Sequence, residues 1–117
     1  PDAITQARTA NQFAAHVYLG FEATNGSSSV VHFYRVPTFE SLGGRTMAAC
    51  LTRELSACGL QVSEPCGMRL PVLRETRMPA VLCSLAPVRT AVDSAQEISH
   101  AVLRAIEQWV VVCSLVS

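Results

Sequence analysis

Val72-Leu73-Arg74-Glu75-Thr76-Arg77-Met78-Pro79-Ala80-Val81-Leu82-Cys83-Ser84 is the stretch on which the reading of this chain turns. Its second half, Pro79-Ala80-Val81-Leu82-Cys83, is continuously apolar and opens with a proline. A short apolar run of that kind predicts a central buried strand, starting just after the residue that cannot donate to a ladder. Upstream, Pro71-Val72-Leu73-Arg74 reads as a short edge strand. Downstream, Asp93 or Ser94 starts a last helix, with Ser94 and Glu97 at capping-box spacing. Ile98, Val102, Ala105 and Trp109 form the apolar stripe of that helix.

The rest of the chain supplies partners for the central strand. Asp2 caps a helix over about Ala3 to Ala14, with Ile4, Ala7, Ala10 and Ala14 on one stripe. His16-Val17-Tyr18-Leu19-Gly20-Phe21 reads as a buried strand, and Ser29 to Arg35 as another. Asn25-Gly26-Ser27-Ser28-Ser29 between them is a turn, because Asn-Gly takes positive φ readily. Thr38 or Ser41 caps a second helix to about Ala57, with Met47, Leu51 and Leu55 in line and Gly59 as its C′ residue. Residues 60–69, with Pro65 and Gly67, read as irregular. The order helix, strand, strand, helix, strand, strand, helix predicts an α/β domain with a mixed sheet flanked by helices. A helix in first place is unusual for a complete unit of this class and points to a missing N-terminal strand and helix.

Composition excludes several classes of function. Of 117 residues, half are hydrophobic and 15% are charged, so a packed core is expected and disorder is not. Formal net charge is zero, which argues against a nucleic-acid partner. All nine basic residues are arginine. A GC-rich genome accounts for that; recognition of anions or carboxylates is the functional reading. Cys50, Cys58, Cys66, Cys83 and Cys113 show no CxxC spacing and read mostly as small core hydrophobes in a reducing compartment, with a Cys58–Cys66 disulfide as the alternative. No signal peptide is visible, and a start at Pro1 reads as a processed or truncated chain. The apolar tail from Trp109 to Val112 is too short to span a bilayer.

Two segments resemble the zinc-dependent N-acetylmuramoyl-L-alanine amidases of the amidase-3 type. Arg8, Ala10-Asn11 and the strand Tyr18 to Phe21 sit where that family has an Arg, an Ala-Asn pair and a strand ending in His-Ala-Asn. Residues 72–84 follow the family pattern Val-Leu-Arg-x-Thr-x-x-Pro-Ala-Val-Leu-Val-Glu. The resemblance implies that residues 1–117 are the C-terminal portion of one such domain, a mixed sheet flanked by helices. Members cut the amide between the lactyl group of muramic acid and the first alanine of the stem peptide. Their strand-end His is a zinc ligand, and the matching residue here is Glu22. Their Glu after the apolar strand is the general acid/base, and the matching residue here is Ser84. Two further ligands, a His and a Glu, would lie upstream of residue 1.

These departures set the expected function. A hydrolytic zinc site needs three protein ligands and an open position for water. Glu22 as ligand would change the charge at the metal and make the bound water less acidic. A serine at position 84 does not take a proton near neutral pH as a carboxylate does, and general acid–base catalysis is worth about 10²–10⁴-fold. No catalytic residue, metal or cofactor is therefore expected, and the resemblance narrows to degenerate actinobacterial members of the family. It implies a cytoplasmic regulator of peptidoglycan synthesis. Implied partners are a precursor-pathway enzyme such as the enolpyruvyl transferase of the first committed step, a serine/threonine kinase and the N-terminal half of the same domain.

The alternatives are an active zinc amidase with a rebuilt site, or a cell-wall peptide binding module whose old substrate groove keeps Arg74 and Arg77 for stem-peptide carboxylates. A serine hydrolase using Ser84 with His16 or His32 lacks a Gly-x-Ser-x-Gly elbow and an orienting acid placed by sequence. His16, His32 and His100 each read as structural. Glu22 reads either as a solvated residue where a strand leaves the sheet or as a carboxylate in the old metal position.

Overall fold

A computed structural model describes residues 18–36, 39–69 and 79–116. The N-terminal helix, the edge strand at residues 71–74, the Thr38 cap and residues Arg8, Ala10, Asn11, His16, Arg74 and Arg77 lie outside them.

The central strand of the sequence reading is central in the molecule. It is β5, Ala80–Leu85, and it is paired on both edges. On one side β1, Tyr18–Ala23, runs parallel to it; on the other β2, Val30–Val36, runs antiparallel. Two short strands complete the far side of β2. These are β3, Phe39–Glu40, antiparallel, and β4, Cys66–Met68, parallel. The sheet is therefore mixed, as expected.

Alternation along the two inner strands builds the core. Val31 and Phe33 of β2 and Val81, Cys83 and Leu85 of β5 point to one face. That face is covered by α1, Leu42–Ala57, and α3, Ala95–Val116. Helix α1 contributes Met47, Ala48, Cys50, Leu51 and Leu55. Helix α3 contributes Ile98, Ala101, Ala105 and Trp109. The alanines let the helices approach one another, and Arg104 and Gln108 of α3 both donate to the Glu54 carboxylate of α1, at 2.9 and 2.7 Å. Those bonds hold the Glu54 carboxyl below its usual range.

Caps fix where α1 begins and ends. Ser41 Oγ accepts from the Gly44 amide at 3.0 Å, so Ser41 is the N-cap. The helix stops at Cys58, and Gly59 follows with φ of 105°, a conformation glycine takes without steric cost. Close approach decides the first turn. A Cβ on Gly43 would stand 2.6 Å from Pro79 Cγ, and Trp109 Nε1 donates to the Gly43 carbonyl at 3.0 Å. The start of β5, the start of α1 and the end of α3 are thus locked at one point.

Several boundaries differ from the sequence reading. Residues 60–69 contain β4, missed because three residues including a glycine carry no periodic signal. A short helix α2, Val88–Asp93, precedes the last helix; Asp93 ends it, so of the two proposed starts only Ser94 leads into α3, where its carbonyl accepts from the Ile98 amide at 2.9 Å. Cys66 is exposed, not core, while Cys50 and Cys83 are buried. Cys58 and Cys66 are free thiols, so the disulfide alternative does not hold. Ser29, read as the last residue of the turn and the first of the strand that follows, is 1% exposed. Its hydroxyl accepts from the Ala86 amide at 3.0 Å, tying the start of β2 to the end of β5.

Leu51 is fully buried in α1 and Leu103 of α3 is 58% exposed. Leu51→Ala should cost about 2–5 kcal/mol in urea unfolding, and Leu103→Ala within about 0.5 kcal/mol. Equal losses would contradict the packing described.

Candidate functional site

The face of the sheet away from α1 and α3 carries the chemistry-bearing residues. Because β1 and β5 are parallel, their C-terminal ends coincide, and Glu22 stands in register with Ser84. Because β2 is antiparallel to β5, Val30 stands opposite Ser84 and His32 opposite Leu82. His32 is thus a diagonal neighbour of Ser84 on the same face. Its Nε2 lies 3.2 Å from Ser84 Oγ, a hydrogen bond in which either atom can donate. The sequence reading took His32 as structural and Glu22 and Ser84 as degenerate positions, pairing Ser84 with His16 or His32 only in the serine-hydrolase alternative; the sheet brings Glu22, His32 and Ser84 together. Tyr18, Tyr34 and Leu82 pack with Ala80 on the same face and form its apolar floor.

Burial and charge act in opposite senses on His32. Burial lowers its pKa from 6.5, and the Glu22 carboxylate partly offsets that. The imidazole is therefore neutral at neutral pH, and its Nδ1 is buried without a hydrogen-bond partner among the described residues. Glu22 is exposed on β1, within the strand rather than in a loop leaving it. Ser84 is 8% exposed. On the other face, burial pushes the Cys83 thiol up to about 12, which leaves it inert.

This arrangement is not a nucleophile triad. Ser84 lies inside β5 rather than on a sharp turn, and among the described residues no carboxylate accepts from His32 Nδ1 to hold the ring as a base. Nor do the described residues make a zinc site by themselves. Glu22 and His32 are two donors, a hydroxyl is not a usual third, and no group of three His, Cys, Asp or Glu comes together among the described residues. His100 is exposed on α3 and belongs to neither arrangement.

The same architecture recurs in solved cell-wall enzymes. The catalytic domain of CwlV, an N-acetylmuramoyl-L-alanine amidase from Bacillus (Paenibacillus) polymyxa var. colistinus, superposes with a TM-score of 0.76 at 17% identity, over 94% of this chain and 66% of that one. For the apo amidase Ami1 of Mycobacterium abscessus the TM-score is 0.77 at 20% identity, over 94% of this chain and 62% of that one. For the amidase AmiC2 of Nostoc punctiforme it is 0.72 at 15% identity, over 91% and 64%. The chain has the fold of the N-acetylmuramoyl-L-alanine amidases. It spans roughly 60–66% of the length of the amidase chains named here and of their Mycobacterium smegmatis counterpart. No protein-family model and no curated protein sequence matches it. Among the described residues no helix is long and apolar enough to cross a membrane.

Sequence reasoning named His32 beside His16 as a partner for Ser84 only within the serine-hydrolase alternative, and could not choose between the two. The signal was there only as parity: positions 30, 32 and 34 share a face, but which residues of β5 they meet depends on the register.

The lowered pKa of His32 makes a pH prediction. Between its folded value and the unfolded value of 6.5, the unfolded chain binds a proton that the folded chain does not. Stability should therefore fall as pH drops below about 6.5 and level off below the folded value. His32→Gln should flatten that limb in urea midpoints measured against pH. An unchanged limb would place its origin elsewhere.

Proposed function

We propose that this chain belongs to a non-catalytic amidase-like domain that regulates peptidoglycan biosynthesis through protein–protein contacts. The observation that carries the reading is the pairing of Glu22 with Ser84, with Ser84 bonded to His32, at the strand ends where the amidases of this type are expected to hold a zinc ligand and the acid/base carboxylate. A hydroxyl in place of that carboxylate forfeits about 10²–10⁴-fold in rate. A carboxylate in place of a neutral imidazole would add negative charge at a metal and raise the pKa of its water.

The resemblance extends to CwlM, a degenerate mycobacterial homologue, and on this reading the domain works in the cytoplasm. Its partners are an enzyme of precursor synthesis, such as the enolpyruvyl transferase of the first committed step, and a serine/threonine kinase. The CwlD amidase of Clostridioides difficile, solved in complex with the GerS lipoprotein, supports the idea that this fold offers surfaces to protein partners. A second reading, a zinc amidase with a rebuilt site, is favoured by one feature, the His32 imidazole beside Glu22, which brings a nitrogen donor near the carboxylate.

Zinc titration of the full-length protein by calorimetry separates the two. Expected are no site-specific zinc binding at high micromolar metal, no release of stem peptide from muropeptides, and recovery of the enolpyruvyl transferase with the intact protein. One-to-one zinc binding that Glu22→Ala or His32→Gln abolishes, together with muropeptide hydrolysis, would establish the amidase instead.

A further inference from the structure

The connection between β1 and β2 carries a chemistry of its own. Both strands are partners of β5, one on each edge, so the chain between them has to arch over the C-terminal end of β5. The two ends of that arch are pinned. The Thr24 amide donates to the Leu85 carbonyl at 2.8 Å, and the Ser29 amide donates to the Gln61 carbonyl at 2.7 Å. Ser29 Oγ accepts from the Ala86 amide, and the Ser28 and Ser63 hydroxyls bond one another at 2.8 Å. Between the pins, Asn25, Gly26 and Ser27 are exposed and belong to neither strand nor helix.

Asparagine followed by glycine is the pair in which a backbone amide most readily attacks a side-chain carboxamide. Glycine has no Cβ to shield its nitrogen, and a bond from that nitrogen to Asn25 Cγ closes an unstrained ring. A fold protects such a pair when it fixes either group. Here neither is fixed: among the described residues no hydrogen bond holds the Asn25 carboxamide or the Gly26 amide. The turn of positive φ expected from Asn-Gly is not formed, since among the described glycines positive φ belongs to Gly59. Strands β1 and β2 are not neighbours in the sheet, so no hairpin demands such a turn.

We propose that Asn25 is a site of spontaneous deamidation in the folded protein, with water as the co-reactant. The Gly26 amide nitrogen gives its proton to solvent and forms a bond to Asn25 Cγ. The Cγ–Nδ2 bond breaks, and Nδ2 takes up a proton and leaves as ammonia. Water then adds to one of the two carbonyls of the succinimide, and a ring C–N bond breaks. Attack at Cγ gives aspartate with the normal backbone. Attack at the backbone carbonyl gives isoaspartate, whose chain runs on through Cγ and is one carbon longer. No electrons are transferred and the chain is not cut. Either product puts a carboxylate where a neutral amide stood, in the arch beyond the strand ends that carry Glu22 and Ser84. In the isoaspartate the added carbon has to be taken up between the pinned residues Thr24 and Ser29. The change does not depend on whether the domain is catalytic.

The test is timed incubation of the folded full-length protein at neutral and mildly alkaline pH, followed by tryptic mapping with a zero-time blank. Asn11 and Asn25 are the two asparagines of this sequence, and both fall in the peptide of residues 9–35, so each molecule carries its own comparison. Asn11 precedes Gln12, whose side chain hinders the same attack. Expected are an amide-to-acid mass gain at Asn25 with Asn11 unchanged, a mixture of aspartate and isoaspartate, and a faster gain at alkaline pH, where more of the attacking amide is deprotonated. Gly26→Ala should slow the gain about tenfold or more. That variant keeps the fold, because a Cβ on Gly26 meets nothing nearer than Thr24 Oγ1 at 3.7 Å. No gain at Asn25 in the folded protein, an equal gain at Asn11, or the wild-type rate in Gly26→Ala would each overturn the proposal.

Discussion

The pairing of β5 on both edges is the constraint from which the rest follows. A strand with a parallel neighbour on one side and an antiparallel one on the other has no freedom of register, because a shift by one residue would exchange its two faces. Val81, Cys83 and Leu85 are then committed to the helices, and Ala80, Leu82 and Ser84 to the opposite face. The identity of each side chain at the site is thereby set by the core. Ser84 meets His32 because Cys83 must meet the helices.

The two ends of the sheet differ for the same geometric reason. Parallel pairing of β1 with β5 puts their C-terminal ends together, and there the sheet gathers a carboxylate, an imidazole and a hydroxyl. Antiparallel pairing sends β2 the other way, and its C-terminal end brings an arginine out beyond β5 toward the exposed stripe of α1. Contact between α1 and α3, anchored by Glu54 and by Trp109 on Gly43, joins these ends into one body.

Much of this was legible in the sequence, and the remainder has identifiable causes. Short apolar runs announced β1 and β5, the segment after the Asn25–Ser29 turn announced β2, and the stripe Met47-Leu51-Leu55 with Ser41 and Gly59 announced α1 and both its ends. Glu22 and Ser84 were found by resemblance, and the structure puts them side by side. What stayed hidden was non-local. Strand β4 exists because β2 offers it an edge, not because Cys66-Gly67-Met68 favours a strand. Ser29 stood at the junction of turn and strand, and nothing local announced that its hydroxyl would accept from the Ala86 amide far along the chain.

The residue types at the amidase-like end also support one another physically. An ionised carboxylate at position 84 would sit at a nearly buried point of a strand, where desolvation is costly unless a cation or a set of donors compensates. Without a metal nearby, such a group would raise its pKa or destabilise the sheet. A neutral serine bonded to a neutral histidine removes that cost and satisfies both Ser84 Oγ and His32 Nε2. Glu22 escapes the penalty by a different route, since it is exposed to solvent at the end of β1. On the proposed reading, loss of the metal and loss of the buried carboxylate are therefore coupled changes. Once one is gone, keeping the other would cost stability, and on that reading the Ser84–His32 pair satisfies the strand end with neutral groups alone.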